Sequence, residues 1–171
     1  MKVLLVKPNN LSDHIQPSLG LAYLAERIRD RHDVLILDCI KEDIGPAKFV
    51  QTVLKDWRPD VVGIQCYTFD LGNVRKLLKA TKEWNPDIIT VVGGAHISSD
   101  PIRAFDNLEE NLDFAFSGEA ETGFPKFIDM LNDPTTEPDY FSIPGLVWKN
   151  DQELVANPVY LEEDLDSLGD P

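Results

Sequence analysis

The chain's 171 residues fit one domain of ordinary size, and a hydrophobic fraction of 43% is enough to fill a core. Its formal net charge of −14 disfavours nucleic acid and anionic membrane surfaces as partners, because both would repel it. No apolar run is long enough to cross a bilayer, and the opening MKVLLVKP turns polar too soon for a signal-peptide core.

Short runs rich in Val, Ile and Leu alternate with longer segments of helical spacing. The first run, Val3 to Lys7, reads as a buried parallel strand. The loop after it, KPNNLSDHIQPSLG, is long, and long loops in compact domains tend to be functional. It holds neither Gly-x-Gly-x-x-Gly nor a P-loop, nor a compact Ser/Thr/Gly phosphate cradle, so the common nucleotide motifs are excluded. His14 in this loop is either a metal ligand or a solvated side chain, the latter being the commoner state. From Leu19 to Arg31, the residues Leu21, Leu24, Ala25 and Ile28 form one apolar stripe, which predicts a helix. His32 closes it, where the dipole favours a cation.

A strand from Val34 to Asp38, a helix from Pro46 to Trp57 and a strand from Val61 to Cys66 follow. Tyr67, Thr68, Phe69 and Asp70 then stand at a strand's carboxyl end. The aromatics there either line a flat ligand or form the loop's own core, and Asp70 is placed to cap the helix from Leu71 to Trp84. That helix repeats the stripe with Val74, Leu77, Leu78 and Thr81. Pro59 and Pro86 each separate a helix from a strand. The strand from Ile88 to Val92 leads into VVGGAHISSDP, the sharpest local signal. Its paired glycines, Gly93 and Gly94, let backbone approach a ligand, or serve only a turn. His96 sits at the mouth of the crevice, touching ligand or holding the loop. Ser98, Ser99 and Asp100 offer caps to a helix from Pro101 to Asn107.

The last strand, Phe114 to Phe116, opens into SGEAET. Gly118 would let this loop approach a ligand and Glu119 would accept its hydrogen bonds; alternatively Glu119 and Glu121 only suit the dipole of a helix from Gly123 to Leu131. Asp133 to Pro144 reads as a surface loop, and Pro144 to Val159 as a hairpin turning at Asn150 and Asp151. Five β–α units in series predict an α/β fold: a doubly wound five-stranded parallel sheet with a C-terminal β-hairpin, binding its ligand at the strands' carboxyl ends. The expected organisation is an α/β domain over 1–143, a hairpin extension over 144–160 and an acidic linker over 161–171. The two cysteines, Cys39 and Cys66, fall in apolar strand-like stretches without metal spacing, which suits a reducing cytoplasm.

Several segments together resemble a known family. PSLGLAYLAERIRDRHDVLILDC, PDVVGIQCYTFDLGN, DIITVVGGAHISSDP and FAFSGEAETGFPKFIDML, followed by IPGLVWKNDQELVANP and LEEDLDSLGDP, are similar in order to the N-terminal cobalamin (vitamin B12)-binding domain of cobalamin-dependent radical S-adenosylmethionine enzymes. The ordered set, with Gly-Gly-Ala-His and Gly-Glu-Ala-Glu at consecutive strand ends, carries the resemblance across nearly the whole chain.

That resemblance implies a flavodoxin-like, Rossmann-like sheet holding cobalamin over its carboxyl edge. The nucleotide tail would lie near Gly20 and the Gly93–Gly94 loop, and the corrin would face Tyr67, Thr68, Asp70, His96 and Glu119. Pro8, Asn9, Leu19, Phe69 and Gly118 complete the implied cofactor-binding set. An iron–sulfur cluster and S-adenosylmethionine would belong to a following radical domain, whose Cys-x-x-x-Cys-x-x-Cys motif this sequence lacks. The parent reaction implied is methyl transfer or another radical conversion, with no catalytic residue and no metal-ligating side chain in this domain.

The sequence also departs from better-known cobalamin domains. It has no Asp-x-His-x-x-Gly, and Gln65 stands where those domains have the Ser of Ser-x-Leu. The lower axial face is therefore expected without histidine: held by water, by nothing, or by a residue near Tyr67 to Asp70. A vestigial scaffold or interaction domain on the same fold is the alternative. A phosphate receiver is excluded because Lys7-Pro8, Gln65-Cys66 and Ser117-Gly118 occupy the positions of its acids, aspartate and lysine. A stand-alone enzyme lacks support, since no nucleophile–base set appears.

Overall fold

The computed structural model describes residues 1–10 and 16–164. The readings of His14 and of most of the 161–171 segment lie outside the described residues. The elements run β1 (Lys2–Lys7), α1 (Leu19–Glu26), β2 (Asp33–Asp38), α2 (46–57), β3 (Val61–Gln65), α3 (Leu71–Trp84), β4 (Ile89–Gly93), α4 (Ala95–Ser99), α5 (Pro101–Asp106), β5 (Phe114–Phe116), α6 (Gly123–Asn132), β6 (Leu146–Asn150) and β7 (Glu153–Ala156). No helix among the described residues is long and apolar enough to cross a membrane.

Strand alternation sorts the core into two layers. Leu4, Val6, Val62, Ile64 and Val92 pack on one face with Phe49, Leu54, Val74, Leu77, Leu78 and Phe105 of α2, α3 and α5. Val3, Leu5, Val61 and Val91 pack on the other with Leu21 and Ile28 from the α1 segment and Phe124, Phe127 and Ile128 of α6. Both faces are therefore covered, as a parallel sheet requires.

The sheet order is β2-β1-β3-β4-β5-β6-β7. Its first five strands pair in parallel, with Val3 opposite Val34 and Val61, and Gly63 opposite Val91. Order reverses between β1 and β3, where a doubly wound sheet opens a crevice at its carboxyl edge.

The sheet is larger than expected. The expected hairpin adds to the five parallel strands: β6 joins β5 antiparallel, Phe114 opposite Trp148 and Phe116 opposite Leu146, and β7 follows on β6 to give seven strands rather than five. β5 is only three residues long, and an uncovered edge there would leave its apolar side chains and ladder groups in water. Leu146, Val147 and Trp148 are buried in the joint, and Asp151 takes positive φ at the expected turn.

Two further differences concern helices. The helix expected to reach Arg31 ends at Glu26, and the chain tightens through Ile28 N–H to Ala25 O and Arg31 N–H to Ile28 O bonds. Ile28 thereby enters the core, and His32 turns inward to meet Asp129 of α6 at 2.9 Å. The segment after Gly94, expected as a loop, forms α4. Ile97 is buried there, and Ser98 N–H and Oγ both donate to Gly94 O.

Candidate functional site at the carboxyl edge

Two adjoining clefts open along the carboxyl edge. The first, of about 190 Å³, lies over Gly63 and Gly93 between the α1 and α6 side chains. Leu5, Leu21, Leu24, Val91, Phe116 and Phe124 wall it, and Gln65, Glu119 and Glu121 supply its polar side chains. The second, of about 380 Å³, is bounded by Lys7, Ser18, Leu19, Ile40, Tyr67, Phe69 and Asp70, and shares Gly20 and Gln65 with the first.

Backbone contacts hold the floor. Cys66 N–H donates to Gly93 O at 2.8 Å, and His96 N–H donates to Cys66 O at 3.1 Å. Gly94 is essential to that clamp: its φ is +107°, and a Cβ there would stand 2.9 Å from Cys66 O. Gly118 N–H donates to Ser98 Oγ at 2.9 Å, so the β4 and β5 loops are also tied together. Ser18 caps α1 by accepting from Leu21 N–H, and donates to Gln65 Oε1 at 3.1 Å, linking the helix start to the β3 end. Gly20 is the opposite case from Gly94, because a Cβ there would meet nothing within 4 Å.

The structure brings Gly20, Gly93, Gly94, Gly118 and Glu119 around the first cleft and Leu19, Tyr67, Phe69 and Asp70 around the second. Tyr67 and Phe69 are not loop core: they are 42% and 72% exposed and stack in parallel at 5.6 Å. Asp70 is 2% exposed, and its carboxylate accepts from Tyr67 N–H and Asn10 Nδ2. It closes the short turn Thr68–Asp70 rather than capping α3, at whose start it makes no side-chain cap. Thr68 Oγ1 lies 3.2 Å from His96 Nδ1, so the His96 ring is fixed to the β3 loop, while its Nε2 is buried without a partner. Pro8 is buried and lines neither cleft. Asn9 offers its carbonyl to Asn73 Nδ2, which anchors the first loop to α3.

Sequence reasoning missed the first cleft's walls and its Glu121, and the Ser18 of the second cleft. One signal was available for the floor: Gly63 interrupts an otherwise apolar strand, where glycine marks a close approach.

The electrostatics are simple. No Lys, Arg or His among the described residues lines the first cleft. In the second, Lys7 Nζ is committed to Asp38 at 3.0 Å and to Gln16 O at 2.7 Å. Burial raises the Asp38 carboxyl, but bonds from Lys41 N–H, Lys7 and Ile40 N–H outweigh it and hold it below the usual range. Burial, aided by Asp70, pushes the Cys66 thiol up to about 12, and burial beside Asp38 does the same to Cys39. Neither is a thiolate at neutral pH, so neither serves as a nucleophile. No group of three or more His, Cys, Asp or Glu poised for a metal occurs among the described residues. The arrangement suits binding: an apolar slot, a flat aromatic platform and few oriented polar groups.

Comparison with known proteins agrees with this. Residues 11–128 match the model of the B12 binding domain. An uncharacterized methyltransferase, PH0819, of Pyrococcus horikoshii is 33% identical over 138 residues, covering 77% of this chain and 30% of its own length. The radical S-adenosylmethionine methyltransferase TsrM from Kitasatospora setae, solved with cobalamin and a [4Fe-4S] cluster, superposes with a TM-score of 0.78 at 20% identity, over 92% of this chain and 30% of that one. The cobalamin-dependent S-adenosylmethionine radical enzyme OxsB, solved with aqua-cobalamin and S-adenosylmethionine, also gives 0.78, at 19% identity, over 94% of this chain and 22% of that one. The chain therefore spans less than a third of the length of these proteins.

Proposed function

The chain belongs to the B12-binding domain family, and from that premise we propose that its carboxyl-edge clefts bind cobalamin. The observation that carries the reading is the first cleft: an apolar slot with a glycine floor, open at Gly20, where any larger residue would occupy the entrance. Gly20 and Gly93 would receive the nucleotide tail there, and Leu19, Tyr67, Thr68, Phe69, His96 and Glu119 would face the corrin. Gly94 and Gly118 shape the loops that receive it, and Pro8, Asn9 and Asp70 hold the adjacent loops in position. When bound, the group supplies a cobalt centre competent for methyl transfer. The chain's described residues contribute binding, orientation and exclusion of water.

In this reading residues 1–143 are the cofactor domain, 144–160 complete its sheet, and 161–171 lead to a radical S-adenosylmethionine domain that carries the iron–sulfur cluster. The parent is a methyltransferase of the cytoplasm. Support comes from the methyltransferase relative, of which this chain spans 30%, and from two buried free thiols.

The test is retention of hydroxocobalamin through desalting, read from the visible spectrum, for the wild type and Gly20→Trp. The expected result is near-stoichiometric corrin in the wild type and its loss in the variant, with unchanged melting. Corrin absent from the wild type, or undiminished in the variant, would overturn this assignment.

A further inference from the structure

Glu121 has no partner for a buried oxygen. It lines the first cleft, and its Oε2 is shielded from solvent without any donor in reach. It does not cap α6, because that helix begins with Phe124 N–H donating to Ala120 O, and no side-chain cap forms there. No cationic side chain among the described residues lines the cleft, and its walls include Leu5, Leu24, Phe116 and Phe124. A shielded carboxylate oxygen left this way is costly, so its natural complement is a donor brought by the ligand.

We propose that Glu121 is the specificity residue of the first cleft, accepting a hydrogen bond from a hydroxyl of the ligand's nucleotide tail. The inference rests on the cobalamin reading above and deepens it. The cleft's chemistry selects among the parts of such a ligand. Apolar walls suit an uncharged flat base, and the Glu121 carboxyl suits a sugar hydroxyl.

The experiment compares two probes on the 171-residue chain: hydroxocobalamin, and cobinamide, which lacks base, sugar and phosphate. Affinities are measured by titration for the wild type, Glu121→Leu and Glu121→Gln. Glu121→Leu is of comparable size and removes the acceptor; it should weaken hydroxocobalamin at least ~10-fold, in line with a buried hydroxyl contact, and leave cobinamide unchanged. Glu121→Gln, which retains an uncharged acceptor, should fall between. Melting curves of the unliganded variants should match or exceed the wild type, because the orphaned oxygen is gone. Equal weakening of both probes, or undiminished hydroxocobalamin binding by Glu121→Leu, overturns the proposal. A wild type that binds neither probe instead overturns the cobalamin reading, and this proposal falls with it.

Discussion

At the scale of single residues, Gly94 and Gly20 have different duties. Gly94 is a packing necessity: positive φ and a Cβ position 2.9 Å from Cys66 O leave no room for a side chain. Gly94→Ala should therefore cost about 1–3 kcal/mol in urea unfolding, the range for a strained backbone position. Gly20 sits in the first turn of α1 with open space around it; Gly20→Ala should be neutral or stabilising by up to about 1 kcal/mol, from helix propensity. Equal losses for both would contradict this division. The glycines were visible as letters, but their roles depend on a neighbouring strand's carbonyl. Glu121 is similar. Next to Glu119 it looks like an ordinary helix-start acid, and only the cleft around it shows an oxygen without a donor.

At the scale of elements, periodicity located the parallel strands and the long helices, because each buries one stripe or one run against a continuous layer. The stripe Val74, Leu77, Leu78 and Thr81 is buried throughout α3. Local pattern was weaker where tertiary contacts set the ending. α1 stops early because His32 turns to Asp129, and α4 forms because Gly94 redirects the chain against Cys66. The hairpin was legible as a hairpin, but not as sheet, since pairing between Phe116 and Leu146 links residues 30 apart that no local rule connects. Leu146 is fully buried in that joint. Leu146→Ala should thus destabilise by about 2–5 kcal/mol, as for a core position, measured by chemical denaturation; a change below about 1 kcal/mol, typical of surface sites, would mean that the hairpin is peripheral.

At the scale of the whole molecule, the end of the sheet opposite the clefts is closed by a polar cluster that joins distant parts of the chain. Asp129 of α6 meets His32 at 2.9 Å and Arg31 at 3.2 Å. Burial raises the Asp129 carboxyl, yet the bonds from His32 and Arg31 outweigh it and hold it below its ordinary value. A carboxyl lowered by folding stabilises above its unfolded pKa of about 3.9, and that contribution is lost as pH falls through the folded value. Asp129→Asn should therefore lower the melting temperature at pH 7, and its difference from the wild type should shrink below about pH 4. A difference that persists unchanged into acid would show that the pair is not what matters. The sequence by itself determined the alternation of strand and helix and the two-faced core, because these follow from the spacing of apolar residues along one chain. Tertiary structure alone decided the joining of the hairpin to the sheet, the division of labour among the glycines, the engagement of Asp70 and the isolation of Glu121. Each of these is set by atoms brought within bonding distance from remote positions, and local spacing carries no record of such distances.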